Sequence, residues 1–175
     1  PNMVIMAPSN EEECKNMLYT GYLHNGPAVV RYPRGEGLVF HVKESLENYE
    51  IGVSKNVRSG DNIVILCFGS VLDICLDVAE EMNCSLIDMR FIKPIDREAI
   101  LKSAENHSVI VTVEDNSIMG GAGSAVNEVL SENCIGSKII NVGTPDKFFN
   151  HATREQQLHE SGISKENIID KIQNC

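Results

Sequence analysis

The sequence predicts an α/β fold: a three-layer sandwich on a mostly parallel five-stranded sheet with one antiparallel edge arm, preceded by the tail of another α/β domain. Three observations carry this. Val109 to Val113 is an apolar, β-branched run of the kind buried on both faces of a parallel sheet, and a glycine-rich turn and an apolar-striped helix follow it. From Ile63 onward, such runs alternate with helical stripes, the rhythm of βαβ units with right-handed crossovers. The first ~45 residues offer only strand, helix and strand, too few strands for a sheet of their own.

In chain order, Val4 to Met6 is a short strand ended by Pro8, and Ser9 with Glu12 reads as a capping box. The helix it opens has Cys14, Met17, Leu18 and Tyr22 on one stripe. Gly26-Pro27 turns the chain into a buried strand, Ala28 to Tyr32, which Pro33 halts. Residues 36 to 50 lack a period and carry Glu36, Glu44, Glu47 and Glu50, which predicts a linker. A hairpin follows, Ile51 to Arg58 and Ile63 to Phe68 around Ser59-Gly60-Asp61, its more polar first arm an antiparallel edge strand.

The strand from Ile63 ends at Gly69-Ser70, where Ser70 and Asp73 can cap a helix bearing Leu72, Cys75, Leu76, Ala79 and Met82. Ser85 to Met89 is the next strand, and Asp96 caps a helix with Ile100, Leu101 and Ala104 inward. Glu114, Asp115 and Asn116 stop the strand from Val109; Gly120, Gly121 and Gly123 turn the chain into a helix with Val126, Val129 and Leu130 on one face. Lys138 to Val142 is the last strand. Thr153 and Gln156 form a capping box, Gly162 ends that helix, and Ser164 opens a final one with Ile168, Ile169 and Ile172 inward.

Composition narrows the function. With 42% hydrophobic and 23% charged residues this is a soluble globular chain, and no run approaches the ~20 apolar residues of a membrane span. A net charge of −10 opposes nonspecific nucleic-acid binding but leaves room for a local basic site for a small anion. The chain starts at Pro1 without a signal peptide, which predicts a fragment of a longer protein. Its six cysteines show no Cys-x-x-Cys spacing, and Cys67, Cys75 and Cys84 fall in or beside buried elements. That pattern predicts reduced thiols in a cytoplasmic protein.

Arg31-Tyr32-Pro33-Arg34-Gly35 is the leading site candidate. It follows a strand end, where open α/β sheets form ligand crevices, and Pro33 restricts the backbone between two guanidinium forks suited to phosphate or carboxylate. The competing reading is that both arginines make structural ion pairs. The segment from Asp88 to Asp96 also follows a strand end, near Glu114 and Asp115 if their strands are neighbours. These carboxylates could hold a metal, but none of the five histidines joins them at ligand spacing, and an Arg90–carboxylate pair at an interface is the stronger expectation. The glycine loop fails as a dinucleotide fingerprint because Val126 stands where glycine is required, which leaves close helix-on-sheet packing as its use. Phe68 and Leu72 likewise exclude a nucleophile elbow at Ser70.

Together, PNMVIMAPSNEEECKNMLYTGY, GPAVVRYPRG, LIDMRFIKPID, VTVEDNSIMGGAGSAVNEVL and NVGTPDKF resemble the transketolase-like, thiamine diphosphate-dependent family. They resemble in particular its deoxyxylulose phosphate-forming branch, over nearly the whole chain and about the last third of such an enzyme. The resemblance implies a transferase that condenses pyruvate with glyceraldehyde 3-phosphate with loss of carbon dioxide, feeding isoprenoid and thiamine synthesis. It implies thiamine diphosphate and magnesium as cofactors, a homodimer, and no nucleic-acid or membrane partner. Residues 1–48 would finish the pyrimidine-binding domain and residues 49–175 would be the transketolase C-terminal domain. Arg34 would be the ligand of the acceptor's phosphate, with Arg31 and Tyr32 as lesser candidates. The catalytic, cofactor-binding and metal-binding residues would precede Pro1, so this fragment alone would hold no cofactor and be inactive. Two other readings are a non-catalytic packing or dimerisation module and a flavodoxin-like domain for a phosphorylated ligand.

Overall fold

The computed structural model describes residues 1–35 and 44–175. Two sheets organise them. The larger has five strands: β3 (Lys55–Arg58), β5 (Ser85–Asp88), β4 (Ile63–Phe68), β7 (Val109–Ser117) and β8 (Lys138–Thr144), in that spatial order. All pairs are parallel except β3 with β5, so β3 is the antiparallel edge. Helices α2 (Leu72–Glu81) and α6 (Lys165–Gln173) cover one face, and α3 (Arg97–Asn106) and α4 (Ala122–Glu132) cover the other. The short α5 (Arg154–Glu160) precedes α6.

The period of two along β4 builds both halves of this core. Ile65 and Cys67 pack with Cys75, Val78 and Ile168, while Val64, Leu66 and Phe68 pack with Ile100, Val126 and Val129. A strand buried on both faces belongs at the centre of a parallel sheet, and β4 lies between β5 and β7. The expected hairpin is therefore not formed. β3 and β4 are adjacent in sequence but separated by β5, and the bend between them is fastened to the start of β5 by Gly60 N donating to Ser85 Oγ at 3.0 Å.

The smaller sheet has the order β2 (Ala28–Val30), β1 (Val4–Met6), β6 (Phe91–Lys93). β1 and β2 are parallel, and β6 joins β1 antiparallel from the far side of the linker. No pattern in the sequence marks β6, because three residues after a strand end carry no period. Ala7 N donates to the Arg90 carbonyl at 2.8 Å, and Arg90 itself takes a left-handed φ of 56° to make the turn from β5 into β6.

The amino-terminal elements depart from their sequence patterns in consistent ways. Helix α1 (Glu11–Leu23) buries Glu13, Asn16, Met17 and Thr20, while Leu18 and Tyr22 are 52% and 84% exposed. Its inward face is polar because it meets hydrogen-bonding partners there. Asn16 Oδ1 accepts from Glu47 N at 3.0 Å, Thr20 Oγ1 accepts from Tyr49 N at 2.9 Å, and Glu13 pairs with Arg90. Its N-cap is Asn10, accepting from Glu13 N at 2.9 Å, and not Ser9. The expected buried strand Ala28 to Tyr32 is shorter and largely exposed, since β2 is an outer strand. Residues 36–43 of the expected linker lie outside the described residues.

Elsewhere the capping signals agree with the structure. Asp96 accepts from Ala99 N, Thr153 and Gln156 form the reciprocal box, Ser164 caps α6, and Gly162 turns with φ 82°. Ser70 does not cap α2, whose N-cap Val71 makes no side-chain bond. Nor do Glu114 and Asp115 end β7, which continues to Ser117 across a register shift against β8.

Candidate functional site

Four segments that follow strand ends converge on one cleft of about 260 Å³: Pro8 to Glu11 after β1, Tyr32 to Gly35 after β2, Ser70 after β4, and Arg154 in the stretch after β8. Cys14 of α1 completes the lining. The cleft thus lies at the carboxyl ends of parallel strands from both sheets, where unused backbone ends and loop side chains face a ligand. Arg34 and Tyr32 are exposed there, and Arg34 makes no hydrogen bond or ion pair with another described residue.

Arg31 is used differently from Arg34. Its Nη2 donates to Asp115 Oδ1 at 2.6 Å, joining the end of β2 to β7 across 84 residues of sequence. Asp115 also accepts from Ser70 Oγ at 2.9 Å, and Arg154 Nη2 stands 3.6 Å from its Oδ2. Arg154 donates to Ser70 Oγ at 2.8 Å and to the Ser70 carbonyl at 3.2 Å. Asp115 is therefore a hub between two guanidinium groups beside the cleft, of which only Arg154 lines it, and every one of these contacts engages its carboxylate. Sequence reasoning missed Arg154 and gave Ser70 to a cap. The available signal was position, since both follow strand ends.

The second candidate cluster does not assemble. Asp88 ends β5 and Glu114 and Asp115 lie on β7, with β4 between the two strands, so Asp88 does not pair with the β7 carboxylates across adjacent strands. Asp88 accepts from Ser9 Oγ at 2.7 Å and Arg90 N at 3.1 Å. Burial pushes its carboxyl up to about 6, with the nearby Glu13 carboxylate adding to the effect and the two hydrogen bonds opposing it. The expected Arg90 pair is present: Nη2 donates to Glu13 at 2.7 Å, and the guanidinium lies 4.0 Å from the Tyr49 ring centroid.

The glycine loop is filled by the chain's own acid. Glu114 accepts from Ala122 N at 2.9 Å and Gly123 N at 2.8 Å, so the amides that open α4 are already satisfied. A Cβ on Gly121 would collide with the Ser117 carbonyl and the Glu114 carboxylate, which explains the glycine by close packing. These residues do not fit a cofactor's diphosphate, and among the described residues no three His, Cys, Asp or Glu side chains gather as metal ligands. Cys67, Cys75 and Cys84 are buried free thiols; burial and the adjoining Cys75 push the Cys67 thiol well up. No helix among the described residues is long and apolar enough to cross a membrane.

A three-layer α/β domain tied to a second, smaller sheet, with an arginine-bearing cleft at the carboxyl ends of their parallel strands, is the class these features define. Residues 52–168 match the family described as "Transketolase, C-terminal domain", and the chain belongs to that family. It is 46% identical over 171 residues to the 1-deoxy-D-xylulose-5-phosphate synthase of Psychromonas ingrahamii, covering 95% of this chain and 28% of that protein. It is 50% identical over 173 residues to the synthase of the same name from Yersinia pestis, covering 99% of this chain and 28% of that one. The chain thus spans little more than a quarter of these relatives. Among solved structures, a chain titled "Split gene transketolase, inactive beta4 tetramer" superposes with a TM-score of 0.84 at 27% identity, over 99% of this chain and 57% of that one. Transketolase from Campylobacter jejuni superposes with a TM-score of 0.68 at 13% identity, over the whole of this chain and 26% of that one, a likeness of fold alone.

Proposed function

We propose that the chain is the carboxyl-terminal part of a 1-deoxy-D-xylulose-5-phosphate synthase, a cytoplasmic homodimer that condenses pyruvate with glyceraldehyde 3-phosphate and releases carbon dioxide. The observation that carries this is the 46–50% identity to synthases of that name over 95–99% of the chain. Residues 1–48 are the end of the pyrimidine-binding domain and 49–175 the C-terminal domain, in keeping with the family match at 52–168. The intact enzyme holds thiamine diphosphate and magnesium through residues outside this chain, whose glycine loop is closed to a diphosphate by Glu114.

In this reading Arg34 holds the phosphate of the acceptor. Its guanidinium is exposed in the cleft and unengaged by the described residues, and a phosphate bound there fixes the aldehyde by its remote end. Arg31, tied to Asp115 and outside the cleft lining, braces the segment, and Tyr32 supplies a wall.

The test extends the polypeptide to the length of its relatives and compares parent with Arg34→Ala. The KM for glyceraldehyde 3-phosphate should rise roughly ten- to hundredfold, the loss of one charge-assisted interaction, while that for pyruvate stays constant. Equal acceptor constants in the two proteins would remove Arg34 from the site. The 175-residue chain alone should form no deoxyxylulose phosphate with thiamine diphosphate and magnesium added, and product formation by it would overturn the division of labour.

A further inference from the structure

Resting on that reading of the Arg34 cleft, we propose that Arg154 is a second phosphate-binding residue, through which the carboxyl-terminal unit grips a phosphomonoester together with Arg34. Position, anchoring and exposure carry this. Arg154 and Arg34 line the same cleft from different units, one after β8 and the other after β2. The guanidinium of Arg154 is fixed by one edge only, with Nη2 on Ser70 and beside Asp115, while its Nη1 and Nε make no hydrogen bond with another described residue. A guanidinium has five donors in a rigid fork, so this anchoring leaves donors over and removes the freedom that binding would otherwise have to quench. The side chain is 40% exposed and open to a ligand.

Charge points the same way. The chain carries a net charge of −10, yet the described residues of the cleft lining include two guanidinium groups and one carboxylate, Glu11. Asp115 sits behind Arg154, bound also to Arg31 and Ser70, where it orients the guanidinium without facing the ligand as a lining residue. One cation gives a phosphate direction; two lining the same cleft fix its position and favour a dianion over a carboxylate. Asp115 and Ser70 are positioning residues in this scheme.

The experiment titrates the 175-residue chain with glycerol 3-phosphate, followed by calorimetry and by the NMR signals of the arginine Nε–H groups. Parent protein should bind in about the millimolar range, with both the Arg34 and Arg154 signals shifting. Arg154→Ala should weaken binding about tenfold or more, and Arg154→Lys, which keeps the charge and loses the fork, should fall between. A bracing role alone would lower the melting temperature of Arg154→Ala and leave the affinity of the folded protein unchanged, which would overturn the proposal. So would absence of binding by the parent at about ten times the expected constant, or a preference for inorganic diphosphate over glycerol 3-phosphate. If Arg154→Ala weakens binding and Arg34→Ala does not, the second grip stands and the assignment of Arg34 fails. The reverse result sinks Arg154 and leaves Arg34 intact.

Discussion

Asp88 shows how one buried carboxyl couples this molecule to pH. Its folded value of about 6 lies above the ordinary 3.8, so the folded chain binds the proton more tightly than the unfolded one. The stabilisation from that proton is complete below about pH 4 and lost as pH rises through 6. A rise of that size corresponds to about 3 kcal/mol at most. Asp88→Asn mimics the protonated form. It should therefore be more stable than the parent at pH 7 by up to about that amount, with the difference vanishing near pH 4. Urea unfolding of both proteins from pH 4 to 7 measures this, and parallel pH curves would refute it. Arg31 and Arg34 show what was legible at this scale. Their segment was readable as an anion site from Pro33 and two guanidinium groups, but which arginine is free was not. That depended on Asp115, 84 residues away.

At the scale of elements, the turn from β7 into α4 is the most tightly specified. Glu114 binds two amides at the start of α4, and Gly121 passes so close that no side chain fits. Gly121→Ala should cost about 1–3 kcal/mol, the usual penalty of overpacking, read as a lower urea midpoint with unchanged slope. An unchanged midpoint would mean that the loop can move aside. Elements of the larger sheet were legible because β4 and β7 are long, apolar and followed by helices with one apolar stripe. The errors fell where a local rule met a distant partner. Ser70 had the residue type and spacing of a cap but bonds Asp115, and Leu18 and Tyr22 had the spacing of a buried stripe but face outward. The polar face of α1 is buried instead, because Glu47, Tyr49 and Arg90 satisfy it; no period within the helix could reveal that.

For the whole molecule the deciding feature is the joint between the two sheets. Ser9 to Asp88, Glu13 to Arg90 and Arg31 to Asp115 cross it, and the β1–β6 ladder ties the segment that follows β5 into the smaller sheet. Glu13 is almost fully buried, so removing Arg90 leaves it, among the described residues, only the longer, half-exposed ion pair with Lys55 at 3.5 Å. Arg90→Met should destabilise the chain by about 3–5 kcal/mol and speed amide exchange in β1 more than in β4. Equal protection of the two strands in parent and variant would show that the ion pair does not hold the joint. Because β6 comes from residues 91–93, the domain boundary proposed near residue 48 is not a seam in space. A chimera that exchanges everything after the linker swaps one rung of the neighbouring sheet with it. Parts from two relatives will therefore fit only when residues 4–6 and 91–93 are chosen as a matched pair.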